Sequence, residues 1–366
     1  MQKIHPRKEN IMKAFKKIGV LTSGGDAPGM NAAIRAVTRT AISHGVEVLA
    51  IRRGYSGLIS GEIEPFGIRD VSNIINKGGT ILYSDRCPEM LSAEGKAKAV
   101  ENCKKFGIDG IVAIGGDGTF RGAASLTALG IPCIGIPGTI DNDITSTDNT
   151  IGFDTAMNTV IELVDKLRDT CESHARCNVV EVMGRGAGDI ALNSGIAAGA
   201  SAIVIPEIPF DTDKLCENII AARKLGKRNF IVIVSEGMGS AYSENLVKKI
   251  QAETGVETKF ARLAHIVRGG SPTLRDRVLA SNMGVFAVEE LLAGRSNLVV
   301  CERRGEIISS DISYALAVDK MLKGIVVRDE ELTVYSSETL HEMRSLVKER
   351  REDMQRLYDV ALKINL

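Results

Sequence analysis

Two carboxylates alternate in the stretch PGTIDNDI, residues 137–144, where Asp141 and Asp143 flank a single asparagine and Thr139 lies two residues upstream. In an extended loop that alternation puts all three side chains on one side. Close carboxylates raise one another's proton affinity, which suits a general base, or they jointly hold a cation. A solvated acidic turn is the reading without chemistry. A third carboxylate, Asp117, stands in IVAIGGDGTFRG, residues 111–122, where four apolar residues run into GGDG. Glycines let backbone N–H groups face an anion, and the helix that follows adds its positive end. A carboxylate beside a phosphate is repelled unless a divalent cation lies between them. Mg²⁺ takes one or two carboxylates together with phosphate oxygens. Asp117 is therefore a candidate ligand of a Mg²⁺-nucleotide, directly or through water, with a helix N-cap as the alternative. TSGGDAPGMN, residues 22–31, repeats the design with Gly24 and Gly25.

Cationic residues stand in turns: Arg86 in SDRCP, Arg176 in HARCN, Arg185 in MGRGAG and Arg268 in HIVRGGSP, with His265 three residues before Arg268. Arginine grips phosphate in two-pronged fashion. Taken singly, each arginine reads as a surface charge and His265 as a satisfied core histidine. Together with two glycine loops and a carboxylate cluster they describe a site for two phosphorylated molecules. Phosphoryl transfer needs that combination: a metal on the donor, positive charge on the moving group and a base for the acceptor hydroxyl. The chain has no GxxxxGK[ST] loop, and GRGAG lacks the full GxGxxG spacing of a dinucleotide fingerprint.

These loops need strands to carry them. The unit of apolar strand, glycine loop and helical pattern occurs from Lys17, from Gly107 and from Asn178. Further strand-like runs start at Val46, Pro132, Ser201, Asn229 and Asn297. Such alternation predicts parallel sheets covered by helices on both faces, with ligands at the carboxyl ends of the strands. With 366 residues, 44% of them hydrophobic, the chain has ample material for two domains. A loop followed by a long helical pattern from Asp148 to Thr170 marks a crossing between them near Ile151. The C-terminal segment from Ser336 predicts a packing helix with Leu340, Met343, Leu346, Met354, Leu357 and Ala361 on its apolar face, capped by Ser336 or Ser337. The formal net charge is zero, with 46 basic and 46 acidic residues, so nothing points to a nucleic-acid surface. No apolar run reaches the length of a membrane span. Seven cysteines without a CxxC pair read as reduced thiols of a cytoplasmic protein. The basic start, MQKIHPRKENIMKAFKK, lacks an apolar signal core and reads as a short tail over 1–16.

GVLTSGGDAPGMNAAIR, IGGDGT, GTIDND, VVEVMGR and HIVRGGSP followed by Asp276-Arg277 are together similar to the 6-phosphofructokinases, of the bacterial ATP-dependent type. The likeness runs from about Lys17 to about Asp311. It implies a phosphofructokinase-like α/β fold: two similar three-layer domains with mainly parallel sheets. An ATP-binding domain would comprise 17–151 plus 266–316, and a sugar-phosphate domain 152–265 plus 317–366. It implies transfer of the γ-phosphoryl of MgATP to the 1-hydroxyl of fructose 6-phosphate, a step of glycolysis. Asp141 matches the catalytic base, with Thr139, Ile140 and Asp143 in the same loop and Asp143 near the metal and the moving phosphate. Asp117 matches the aspartate associated with Mg²⁺. Gly25, Arg86, Cys87, Gly116, Gly118 and Thr119 match nucleotide contacts. Arg185 matches an arginine serving the sugar phosphate and the transition state, beside Met183 and Gly184. Glu236 matches the acceptor for a sugar hydroxyl, and Arg176, Lys259, His265 and Arg268 the clamp on the 6-phosphate. Arg176 reaches a neighbouring subunit's site in the family, which implies a homotetramer.

Donor choice also has a physical basis. Pyrophosphate-dependent relatives carry an aspartate after GGD and a lysine before TIDND, where this chain has Gly118 and Gly138. A side chain at 118 would fill the space for the α-phosphate and adenosine, so the glycine favours ATP. Two regions depart from the pattern. Lys259 stands where a second intersubunit arginine is usual; it keeps the charge and loses the fork. In the effector site, Arg35, Arg39, Arg168 and Lys227 match phosphate-binding residues. Glu62 and Leu225, however, replace an arginine and a lysine, and Ser201 replaces a glutamate. Weakened or redirected control by ADP and phosphoenolpyruvate is the expectation.

Overall fold

The computed structural model describes residues 15–327 and 332–364. Two sheets organise the chain. The first has seven strands in the order β11-β10-β5-β4-β1-β2-β3. Its centre is parallel: β1 (Lys17–Ser23), β2 (Glu47–Ile51), β4 (Gly110–Gly115), β5 (Cys133–Pro137) and β10 (Leu298–Arg303). The edge strands β3 (Ile63–Phe66) and β11 (Glu306–Asp311) are antiparallel. The second sheet is parallel throughout, in the order β7-β8-β6-β9, from β6 (Cys177–Val182), β7 (Ala202–Val204), β8 (Phe230–Ser235) and β9 (Thr258–Arg262).

Continuous apolar strands follow from burial on both faces. In the first sheet Ile18, Val20, Val112 and Ile114 face α1 (Met30–Ser43) and α9 (Leu274–Leu292). The alternate residues Leu21, Ile111 and Ala113 face α2 (Gly54–Ser60), α3 (Ala93–Phe106) and α4 (Asp117–Ala128). In the second sheet Val180, Val182, Ile231 and Ile233 share one core with α5 (Phe153–His174) and α6 (Asp189–Ala197). Val179, Val232 and Val234 face α7 (Thr212–Lys224) and α8 (Tyr242–Thr254). Each unit thus has three layers, as expected, and both belong to one apolar core bridged by Val160 and Val164 of α5. Asp276, buried at the start of α9, reinforces the bridge by accepting from the N–H groups of Gly152 (2.9 Å) and Thr155 (2.8 Å).

The strand-like runs read from sequence all form strands. The edge strands β3, β9 and β11 carry no matching signal, because IEPF, TKFAR and EIISSD mix charge or hydroxyls into a face open to water. Helix α10 (Ile312–Leu322) runs unbroken and packs on α4 and β11. Residue 316, the expected end of the first unit, falls within this helix. Helix α11 (Ser337–Ile364) is a packing helix set against α10, α6 and β7. Ser336 caps it, its hydroxyl accepting from Thr339 N–H at 3.1 Å. Met343 and Ala361 are buried as the pattern requires, while Leu357 is 40% exposed. Residues 1–14 of the expected tail lie outside the described residues.

Candidate active site

Three glycine loops follow β1, β4 and β6 at their carboxyl ends. The first two are tied together: Thr119 Oγ1 donates to Ser23 O at 3.0 Å, and buried Tyr55 donates to Thr119 O at 2.6 Å. They form one side of a cleft of about 320 Å³. Gly25, Arg86, Cys87, Gly116, Asp117, Gly118 and Thr119 line it, as do Thr139, Ile140, Asp141, Arg185 and Arg268. Asp117 is the first residue of α4 behind the N-cap Gly116, so it is not the cap. Its Oδ1 accepts from Gly118 N–H at 2.6 Å, and Arg121 pairs with Oδ2. A Cβ on Gly118 would meet open space. Gly138 differs, because a Cβ there would lie 3.0 Å from Ile114 and 3.1 Å from Met30, inside the core.

Asp141 is 2% exposed. Its N–H donates to Thr139 Oγ1 at 3.2 Å, closing the turn that aims the carboxylate into the cleft. Arg185 Nε stands 3.1 Å from Asp141 Oδ2, while Oδ1 is buried without a partner. Burial, and then the nearby charge of Asp143, push the Asp141 carboxyl up to about 6; Arg185 and Arg268 pull the other way. Burial raises Asp319 in the same way, so what marks Asp141 as a candidate base is its place on the cleft wall with one oxygen unpartnered. Asp143 behaves otherwise. Asn142 has φ 53°, in the left-handed region, so the chain turns and the extended alternation expected for Asp141 and Asp143 is broken. Asp143 faces a second cavity behind the loop, where Lys323 Nζ lies 3.0 Å from its Oδ2.

The third loop needs its glycine. Gly184 has φ 143°, and a Cβ would come 2.5 Å from Ala187 O. Glu236 Oε1 accepts from the N–H groups of Gly184 (3.2 Å) and Arg185 (2.8 Å), which sets Arg185 in its own left-handed turn at φ 52°. Met183, at the end of β6, is buried. Arg268 rests against Gly25, its Nη1 3.6 Å from the Cβ position, and lines the same cleft. His265, three residues earlier, is exposed; it is not a core histidine.

Arg176 and Lys259 stand apart. They line no part of this cleft and converge on Glu257, with Arg176 Nε at 2.7 Å and Lys259 Nζ at 2.8 Å. Hydrogen bonds from Arg176 and Lys259, with their charges a smaller cause, hold that carboxyl down at about 2. The effector candidates also divide. Arg168 and Lys227 are neighbours: Arg168 donates to Asn229 Oδ1 at 3.0 Å, and burial, then Arg168, lower the Lys227 amine. Arg35 and Arg39 lie one turn apart on α1 of the other unit. Glu62 is engaged by Arg53 and Ser60, Leu225 is 90% exposed, and Ser201 Oγ is buried without a partner. Asp26, in the first glycine loop, and Asp85, beside Arg86, also line the cleft, as does Tyr55, whose sequence surroundings do not mark it.

Comparison with known proteins settles the family. Residues 17–291 match the phosphofructokinase family model. The chain belongs to the phosphofructokinase family. It is 57% identical over 298 residues to the ATP-dependent 6-phosphofructokinase of Bacillus pumilus, covering 81% of this chain and 93% of that one. It is 54% identical over 306 residues to the Clostridium acetobutylicum enzyme of the same name, covering 84% and 95%. Among solved structures, the phosphofructokinase of Saccharomyces cerevisiae superimposes with a TM-score of 0.79 at 33% identity. That match covers 91% of this chain and 50% of the yeast chain, so the present protein spans half the yeast chain's length. No described helix is long and apolar enough to cross a membrane.

Proposed function

We propose that this chain transfers the γ-phosphoryl group of MgATP to the 1-hydroxyl of fructose 6-phosphate, giving fructose 1,6-bisphosphate and ADP. The observation that carries this reading is Asp141: a buried carboxylate with a raised proton affinity and one unpartnered oxygen, facing a cleft walled by two phosphate-type glycine loops. Asp141 takes the hydroxyl proton as the sugar oxygen attacks the γ-phosphorus and the bond to the ADP oxygen breaks. Arg185, held beside Asp141 by Glu236, meets the charge on the moving phosphoryl group. Backbone N–H groups of the Gly25 and Gly118 loops and the N-terminus of α4 hold the donor phosphates. Arg86 and Cys87 line the nucleotide end of the cleft.

Asp117 fits a Mg²⁺-nucleotide, since one carboxylate at the cleft wall is the small protein share that ion takes. The ion supplies neutralisation of charge on the donor's phosphoryl oxygens. The open space beside Gly118 and the names of the Bacillus and Clostridium relatives both favour ATP as donor. We assign nucleotide binding to the first unit and sugar-phosphate binding to the second, with Glu236 taking a sugar hydroxyl and His265 and Arg268 the 6-phosphate end. Arg176 and Lys259, remote from this cleft, serve a neighbouring subunit's sugar phosphate in a homotetramer. Arg35, Arg39, Arg168 and Lys227 form an effector site whose response to ADP and phosphoenolpyruvate is weakened at Glu62, Ser201 and Leu225. The enzyme works in the cytoplasm.

The test is product identification. Purified protein with fructose 6-phosphate and MgATP yields a new phosphomonoester on C1, read by phosphorus NMR. ATP hydrolysis without that signal counts against the proposal.

A further inference from the structure

We propose that Lys323 is a positioning residue for the catalytic loop: its ammonium anchors Asp143, and through Asp143 the turn that aims Asp141 into the cleft. Lys323 lies outside the segment matched by the family model, at the end of α10, 180 residues from its partner. Its Nζ is 3.0 Å from Asp143 Oδ2, and the Asp143 side chain is only 7% exposed. A carboxylate so enclosed is costly to hold without a cation. One turn earlier on the same helix, buried Asp319 accepts from Thr145 N–H at 2.5 Å. Asp319 on α10 and Lys323 at its C-cap therefore grip the loop at 145 and at 143. The intervening register is fixed from another side. Asn142 Oδ1 accepts from Thr150 N–H at 3.0 Å, and Asn142 Nδ2 donates to Asp189 Oδ1 at 3.5 Å. Arg350 of α11 stands 3.6 Å from that same Asp189 oxygen.

These anchors matter because the loop holds a conformation that needs support. Asn142 is a non-glycine residue in the left-handed region, between the two aspartates. With Lys323 in place, Asp143 is held behind the loop and Asp141 in front of it. Without the ammonium, the buried Asp143 carboxylate draws in water or swings out, and the turn carrying Asp141 loses its register. Lys323 does not line the Asp141 cleft; it shares a neighbouring cavity with Asp117 and Arg121, and its contact with the catalytic loop is the one to Asp143.

This inference rests on Asp141 being the base for phosphoryl transfer, and the test separates the two. Steady-state kinetics are measured on the full chain and on K323M and K323R, with fructose 6-phosphate and MgATP. K323M lowers kcat roughly tenfold or more, since small misplacements of a base are costly, while both KM values stay within about twofold. K323R restores most of the loss. If K323M does not fold, K323Q replaces it; it keeps a hydrogen bond without the charge and shows a smaller loss of kcat. A K323M or K323Q enzyme with kcat within about twofold of the parent, or K323R as impaired as K323M, overturns the inference. A parent chain inactive in the same assay overturns the functional reading itself.

Discussion

Replacing Asp141 by asparagine keeps the shape of the side chain and removes the base. The parent carboxyl stands at about 6 against an ordinary 3.8, because burial disfavours its charged form. At pH 8 it is nonetheless almost wholly ionised and ready to accept a proton. General bases contribute roughly 10²–10⁴ to turnover, which is about 3–5 kcal/mol of barrier. D141N therefore loses kcat by that factor, with the KM for fructose 6-phosphate largely unchanged, since Arg185 and the 6-phosphate cations remain. Stability moves the other way. A carboxyl whose folded-state proton affinity is raised costs the folded state stability once the pH exceeds both its unfolded and folded values. For Asp141 the displacement from 3.8 to about 6 corresponds to about 3 kcal/mol at pH 8, vanishing below about pH 4. Asparagine never ionises, so D141N melts higher than the parent at pH 8, on the order of 5 °C, and no higher at pH 4. The assay pairs a coupled kinetic measurement with calorimetric melting at the two pH values. A variant that keeps kcat within about tenfold, or that melts below the parent at pH 8, refutes the reasoning.

The pH profile of the parent carries the same signature. Asp141 must be ionised to act, so kcat/KM falls tenfold per pH unit below an acid limb near 6, and a limb near 4 contradicts the burial of the carboxyl. G118D puts charge where the donor's phosphates lie, and the space beside Gly118 accommodates the side chain. A thermal melt shows an unchanged Tm, and titration calorimetry shows ATP binding weakened at least about tenfold, as for one unfavourable charge contact. G138K meets Ile114 and Met30 at 3.0–3.1 Å and destabilises by about 1–3 kcal/mol in denaturant unfolding, the usual cost of overpacking. With Lys259 in its proposed role on a neighbouring subunit's sugar phosphate, K259R adds a second prong and lowers the half-saturating fructose 6-phosphate concentration; an unchanged value argues against that role.

The central strands and the glycine loops were legible because burial on two faces leaves an unbroken apolar run, and backbone approaching phosphate leaves glycine. Both marks are local. The carboxylates at 117 and 141 could be picked out because they interrupt such text. What failed to show depends on contacts made at long range. The alternation of Asp141 and Asp143 suggests one face, yet a left-handed Asn142 divides them; asparagine tolerates that turn without requiring it. Lys323 reaches Asp143 across 180 residues from a helix with no motif. Arg268 lies against Gly25 because the turn 264–268 that carries it packs on α5 and β6, contacts that no spacing within HIVRGGSP encodes. The edge strands were missed because a strand open to water on one side carries the polar residues of a loop.

Formation of fructose 1,6-bisphosphate is followed from fructose 6-phosphate and Mg²⁺, with ATP and pyrophosphate compared as donors at equal concentration. The account predicts product with ATP and none above background with pyrophosphate. Product from pyrophosphate would contradict the donor assignment at Gly118 while leaving Asp141 its role, and no product from either donor would contradict the proposed function altogether.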